Sequence, residues 1–527
     1  MKRKILYSCL SLVLIFTLTF FAVPVQTSSP EETEGGCFSL AAGRRVTNDG
    51  SVLFGHNEDD GGTLVTRLHL VPRIHHEPGE VIEMWDIVLP DGTKATIPQV
   101  VGETWAYIWS ELPGLRSADA FLNEWGVAIA SNACSSKEAS SYDLTNGGIW
   151  YWVRRLVAER AKTAREGVQI VGEMVEQLGY ASSGRTYTIA DPKETWLCSL
   201  VAGRHWVAQR VPDGEVAVIA NRYSIRHVDL TDTHNFLGAP DLISYAISKG
   251  WYDPASGEPF DFGKAYGSPT SQTGQYNTLR QWMGLKLLTG KDYPLDDLPF
   301  SVKPKNRKLT VRDIIGILRN HYEGTEYDQT VNGDPHHTST RVICTASTQE
   351  SFVMQLRSNS PIGDLHHWRT HDRPCGGIYA PLGNVYWRTQ GRPCEGVYVP
   401  IYSGILEIPT PYAIGEPELY NELPLDTRYY DPDSAYWVFN KLDTLVDMDY
   451  LARKPLVRSV WDNFEATEFA LQDEIEKTAH KIYEEGNYHG TPGVDEYLAR
   501  WFLTRYSESV ALDAYYKGLG FIKEFEP

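Results

Sequence analysis

The spacing of apolar residues changes several times along the chain, and each change marks an element. Residues 5–25 form an almost unbroken apolar run behind Lys2, Arg3 and Lys4. A basic start followed by such a run is the pattern of a secretory leader, with cleavage expected between Val23 and Ser29. An uncleaved anchor is the competing reading, because roughly twenty apolar residues span a bilayer. No later stretch is apolar enough to span a membrane. A short polar stretch, TSSPEETEGG, separates the leader from Cys37.

From Cys37 the pattern turns to strands. CFSLAAG is apolar, VTNDGS supplies an Asn-Asp-Gly turn, and VLFGHNED resumes the strand. Residues 64–72 alternate as a third strand, and 121–132 hold a Gly turn followed by a strand of small residues. Helical spacing then covers 147–178 in two pieces. The second piece has a capping-box pattern from Thr163 to Glu166 and Gly179 as its stop. Strands are expected at 187–191, 195–201, 205–211 and 216–221, a helix at 309–321, and strands at 341–345, 351–357 and 383–388. After about residue 415 the texture becomes helical and charged, around 433–447, 455–485 and 493–517, with a breaker from Gly486 to Gly493. No solenoid-type repeat is present. Sheets covered by helices, an α+β organisation, fit this order better than a parallel βαβ series. The expected divisions are a leader at 1–25, a short propeptide at 26–36, a mixed domain at 37–415, and a helical region at 416–527 packed on it.

Charge narrows the function classes. A formal net charge of −19 argues against nucleic acid or an anionic membrane as partner. The seven cysteines are widely spaced, with no CxxC, so no dense disulfide framework is implied, although one or two bridges are compatible with export. Three His pairs, His75-His76, His336-His337 and His366-His367, invite a metal reading. Adjacent residues on a strand point to opposite faces, and no HExxH occurs, so a zinc site is not expected from these pairs.

Cys37 is the strongest chemical candidate. A cysteine that becomes the first residue of a mature chain carries a thiol and a free α-amine together, nucleophile and base in one residue. The amine pKa, about 7.7–8, lies near that of a free thiol, about 8.5.

The segment C37FSLAAGRRVTNDGSVLFGHNEDD60 resembles the start of the secernin-type dipeptidases, a family of N-terminal-nucleophile hydrolases. NEWGVAIASNA, ERAKTAREGV, YTIADPKETWLCSLVAGRHWVAQRVPDGEVAVIAN, HYEGTEYD, TQESFVMQLR, GRPCEGVYVPIYSGI and YDPDSAYW continue the resemblance to about residue 440. It implies a four-layer αββα sandwich and hydrolysis of dipeptides through a thioester on Cys37, with its own α-amine as general base and no cofactor. It further implies that Asp59 contacts the amine, that Asn132 is an oxyanion donor, and that Asn221 and Arg280 complete the catalytic set. His56, Asn57 and Glu58 are carried over as substrate-binding residues. The family usually has Arg where this chain has His56; Arg keeps its charge whereas His can lose it near pH 7, so the sequence leaves the charge at this position open. Two alternatives remain open: an amidase of N-acyl amino acids or of bile-salt- or penicillin-like amides, and a non-catalytic envelope protein on the same scaffold. The expected partner is a dipeptide or small amide, with a homo-oligomer as an open arrangement, and the expected location is outside the cell or in a bacterial-type envelope.

Overall fold

Two antiparallel sheets face one another, and helices cover the outer face of each. In this computed structural model the described residues are 36–59, 65–112, 117–138, 142–305, 308–358, 383–414, 430–486 and 494–526. The expected leader, most of the propeptide, His366-His367, Cys9, Cys375 and the breaker at 487–493 lie outside them, as do residues 415–429, where the expected domain boundary falls.

The first sheet has seven strands. In spatial order they are Ser301–Val302, Val216–Ile219, Phe38–Ala42, Val52–Asp59, Thr348–Leu356, Val385–Gln390 and Val399–Tyr402. The second has eight: Phe236–Gly238, Trp206–Arg210, Thr195–Gly203, Tyr180–Ala190, Ala128–Ala133, Ser117–Asn123, Tyr107–Leu112 and Arg67–Val71. Helices Trp152–Arg160 and Ala164–Leu178 lie on the second sheet. Gln275–Thr289, Val311–Leu318 and the C-terminal helices lie on the first. This is the four-layer αββα order.

The Phe38–Ala42 and Val52–Asp59 strands position the site. Their turn needs Gly50 at φ 78°, a conformation open to glycine at little steric cost. The register pairs Ser39 with His56 and Leu40 with Gly55. Side chains alternate across a strand, so the two faces separate cleanly. A Cβ on Gly55 would meet Ile314, Leu318 and Leu40, and one on Gly284 would meet Phe38, which makes this the helix-covered face. Ser39 and His56 point the other way, into the space between the sheets. Ser39 Oγ reaches Asn132 of the opposite sheet at 2.6 Å. Further along the same interlayer, Ser110 Oγ meets Glu350 Oε2 at 2.6 Å and Thr66 Oγ1 meets Gln390 Oε1 at 2.5 Å.

The C-terminal helices Ala435–Asp447, Tyr450–Gly486 and Val494–Phe525 contribute Val438, Phe439, Leu442, Trp461 and Leu503 to the hydrophobic cluster that also holds Phe38, Leu40 and Val353. Salt bridges rivet them to the sheet: Arg357 to Glu476 at 2.6 Å, and Arg319 to Glu465 at 2.6 and 3.0 Å. Among the described residues no helix is long and apolar enough to cross a membrane.

Several sequence expectations change. Residues 341–345 form an irregular segment, not a strand, because Cys344 and its neighbours are held by contacts outside any sheet. Helix Gln275–Thr289 was not anticipated. It is buried nearly all round, so it lacks the polar stripe that makes amphipathic spacing visible. The hairpin Val81–Val88 with Lys94–Pro98 was also missed. At Thr163 the side chain accepts from the Glu166 amide, but Glu166 reaches back to the Lys162 amide and leaves the box open on that side. A closed capping box forms instead at Thr310 and Asp313.

Candidate active site

Cys37 precedes the first strand and is buried, 3% exposed. Its Sγ donates to Glu58 Oε2 at 3.1 Å. Glu58 follows His56 by two residues, so strand alternation puts both beside the thiol. His56 Nε2 lies 3.0 Å from Glu58 Oε2 and 3.3 Å from Asp119 Oδ2, the latter projecting from the opposite sheet. His56 Nδ1 lies 2.7 Å from Ser39 Oγ, whose hydroxyl donates to Asn132 Oδ1. With the Ser39 proton committed to Asn132, Ser39 accepts from His56 Nδ1–H. Nε2 lies against the Glu58 and Asp119 carboxyl groups, with the Cys37 thiol also beside the ring, and donates as well. The ring is therefore the doubly protonated imidazolium.

The titration tendencies agree. Burial works against charge on His56, but the Asp119 charge and hydrogen bonding with Asp119, Cys37 and Glu58 together overcome it and hold the imidazole well above its ordinary pKa. Asp119 is desolvated too, yet His56 keeps its carboxyl below the usual range. Glu58 is the third member of the group. Burial and the Asp119 charge push it up to about 8, so it is mostly protonated at neutral pH. Burial, with Glu58 adding to it, pushes the Cys37 thiol up to about 12. The sequence leaves the charge of His56 open; a buried carboxylate from the facing sheet, invisible in local sequence, favours the cation.

Asn132 is the most suggestive polar residue. Its Oδ1 is taken by Ser39, which fixes the amide orientation, while its buried Nδ2 has no hydrogen-bond partner among the described residues. A buried donor left unpaired is costly, and a donor waiting for an oxyanion is a physical reason to tolerate the cost.

On the other side of Cys37 a second network holds the backbone. Arg280, fully buried, donates to Cys37 O at 3.0 Å, to Asn221 Oδ1 at 2.7 Å and to Asn277 Oδ1 at 2.9 Å. Asn221 Nδ2 in turn donates to Ala133 O at 3.0 Å. Arg341 bridges Gly36 O at 2.8 Å and Asp59 Oδ2 at 3.0 Å, and Thr348 Oγ1 donates to Asp59 Oδ1 at 2.6 Å. Burial raises the Asp59 pKa, and Arg341 and Arg280 oppose that rise. Cys37, Asp59, Asn132, Asn221, Arg280, His56 and Glu58 thus converge. Asn57 does not: its Nδ2 donates to Leu318 O and Ile343 O on the helix-covered side, away from the thiol. Sequence reasoning passed over Ser39, Asp119 and Arg341. Ser39 was two positions from Cys37 on the same face and could have been found by alternation. Asp119 and Arg341 come from distant segments with no local signal.

Cys37, His56 and Glu58 lie close enough to suggest a metal ligand set. They fit one poorly, because both His56 nitrogens are engaged as donors.

A thiol at a strand start, a cation–carboxylate group beside it and a buried amide donor without a partner among the described residues thus lie together. The family model for peptidase family C69 matches residues 36–463, and the chain belongs to that family. It is a peptidase. It is 30% identical over 340 residues to a probable dipeptidase of Latilactobacillus sakei, covering 62% of this chain and 69% of that one. It is 27% identical over 361 residues to a probable dipeptidase of Salmonella dublin, with 66% and 80% covered. A dipeptidase of Bifidobacterium longum is 28% identical over 365 residues, with 62% and 66% covered. Among solved structures, a mutant conjugated bile acid hydrolase from Clostridium perfringens aligns at 13% identity and a TM-score of 0.30, covering 67% of this chain and 89% of that one.

Proposed function

We propose that the protein is an exported cysteine-type dipeptidase whose nucleophile is the thiol of Cys37 acting as the mature N-terminal residue. The observation that carries the mechanism is the surroundings of Cys37: its thiol faces the interlayer group, while Arg280 and Arg341 hold the carbonyls on both sides of its amide. The dipeptidase relatives supply the substrate class. The leader-like pattern supports export, and a second cut after Gly36 then frees the Cys37 amine.

In the mature chain the α-amine replaces the Gly36 amide. It takes the proton from Sγ, and the thiolate attacks the carbonyl carbon of the substrate's peptide bond. The π electrons move to oxygen, which receives a hydrogen bond from Asn132 Nδ2–H. Collapse breaks the C–N bond, and the α-ammonium returns its proton to the leaving amine. Water then attacks the thioester with its proton passing to the α-amine, and the thiol leaves with that proton. Asp59 stabilises the ammonium that forms in each half-reaction. The imidazolium of His56 offsets carboxylate charge beside the sulfur. Burial, with Glu58 adding to it and His56 opposing, keeps the thiol of the uncleaved chain protonated until the amine is liberated.

N-terminal sequencing with intact mass on protein from an exporting host tests processing, with Cys37 expected as the first residue. A panel of dipeptides and N-acyl amino acids tests substrate class. Cleavage of dipeptides, abolished in Cys37→Ala, is the expected result. Hydrolysis of N-acyl amino acids alone would shift the reading to an amidase, and an uncleaved, inactive chain would overturn it.

A further inference from the structure

A second buried cluster lies where the segment after helix Val311–Leu318 meets the loop between strands Val385–Gln390 and Val399–Tyr402. His321, His336, Cys344 and Cys394 bring one ligand-type atom each to within 4.8 Å of all the others. Both imidazoles are buried. The two sulfurs are at bonding distance, as a disulfide closing 50 residues of chain.

The imidazoles are arranged in a way that a disulfide does not explain. His321 Nε2 and His336 Nε2 face each other at 3.2 Å. His321 Nδ1 lies 2.9 Å from Glu323 Oε1. His336 Nδ1 lies 3.0 Å from Asp334 Oδ1 and 3.2 Å from Asp447 Oδ1. Ionised carboxylates only accept, so both Nδ1 atoms carry hydrogens. In neutral rings, both Nε2 atoms then present lone pairs to each other. Such an arrangement is repulsive unless a positive centre, a proton or a metal ion, lies between them, and Glu395 Oε1, 3.8 Å from His336 Nε2, adds a further negative group there. A carboxylate on the far nitrogen of each ring is also the usual support of a metal-bound histidine.

We propose that in the dithiol state of the chain His321, His336, Cys344 and Cys394 bind one zinc-class divalent ion as a closed structural site. Tetrahedral zinc with ordinary bond lengths sets N···N near ~3.3 Å, N···S near ~3.5 Å and S···S near ~3.8 Å. The nitrogens already stand 3.2 Å apart, and His336 Nε2 is 3.2 Å from Cys394 Sγ and 3.9 Å from Cys344 Sγ. The thiolates have only to part from one another. Four protein ligands leave no open position, so the ion holds structure and does not bind substrate. What it holds matters to the active site. Two of the ligands, His336 and Cys344, flank in sequence Arg341, the residue on Gly36 O and Asp59, and Tyr322 next to His321 donates to Arg341 O at 2.6 Å. Through Asp447 the cluster also ties this segment to helix Ala435–Asp447.

The test uses the full-length protein, reduced with a phosphine under inert gas and titrated with cobalt(II), then zinc. The expected result is uptake of about one equivalent with a thiolate-to-cobalt charge-transfer band, which zinc bleaches. Cys394→Ser and His321→Asn lose the band, while Cys198→Ser, at a buried strand position away from the cluster, keeps it. In the wild-type chain, which avoids any folding defect of the variants, zinc shields Cys344 and Cys394 from alkylation but not Cys37. Absence of the band in the reduced wild type would overturn the proposal, leaving two thiols beside an imidazole pair that shares a proton. A band that survives in folded Cys394→Ser, with the ion at Cys37 or elsewhere, would overturn it too.

Discussion

At the scale of single residues, the site works by uneven sharing of protons among neighbours. His56 and Asp119 stay charged, so Glu58 is the group left to titrate in the physiological range. Its folded-state pKa, about 8, lies above the ordinary carboxylate value near ~4.3. Between these values the folded chain binds more protons than the unfolded one, so stability falls as pH rises from about 4.3 to about 8 and levels off above that. Glu58→Gln removes this term. Its Tm relative to wild type is expected to climb across that window, measured as a series of melts at stepped pH; a constant difference would mean that Glu58 is already ionised at low pH. Asn132 offers a second test. Asn132→Ala is expected to lower kcat about 100- to 1,000-fold, the cost of one oxyanion donor, with a small change in KM. A drop in Tm with unchanged kcat would instead make it a structural residue.

At the scale of elements, local chemistry decides where helices begin and which side chains share a face. Thr310 and Asp313 close a capping box at the start of Val311–Leu318, the helix that covers Gly55 and Asn57 from behind the site. Thr310→Ala is expected to cost about 1 kcal/mol in urea unfolding, in the range of other N-cap losses. The two-residue period of Val52–Asp59 sends His56 and Glu58 towards the thiol and Asn57 towards Leu318 and Ile343. Three consecutive residues of one motif therefore do two different jobs, which a motif read as a single unit conceals.

At the scale of the whole molecule, the C-terminal helices are part of the first sheet's core, and buried ion pairs fasten them. Arg357 and Glu476 form such a pair, 10% and 2% exposed at their side chains. Glu476→Ala leaves the Arg357 guanidinium without its carboxylate and is expected to destabilise the chain by about 3–5 kcal/mol in equilibrium unfolding. A much smaller loss would mean that water or a neighbour replaces the carboxylate.

Much of this was legible in the chain itself. The strand pairs around Cys37, the two helices before 178, the strands from 187 to 221 and the C-terminal helices carry their periods and stops in local order, because each buries one face or ends at a turn residue. Cys37 was legible because a thiol at the head of an apolar strand, behind a leader-like run and a short polar segment, stands out as a chemical candidate. What the sequence could not supply were the partners. Asp119 charges His56 from the facing sheet, Arg341 reaches Asp59 from 282 residues away, and His321 and His336 meet Cys344 and Cys394 across separate loops. Helix Gln275–Thr289 belongs with these: buried nearly all round, it has no polar stripe to announce it. Period and capping are written within a few residues of chain. Charge states and ligand sets depend on distances in space, and only the packing of two sheets and their helices sets those distances.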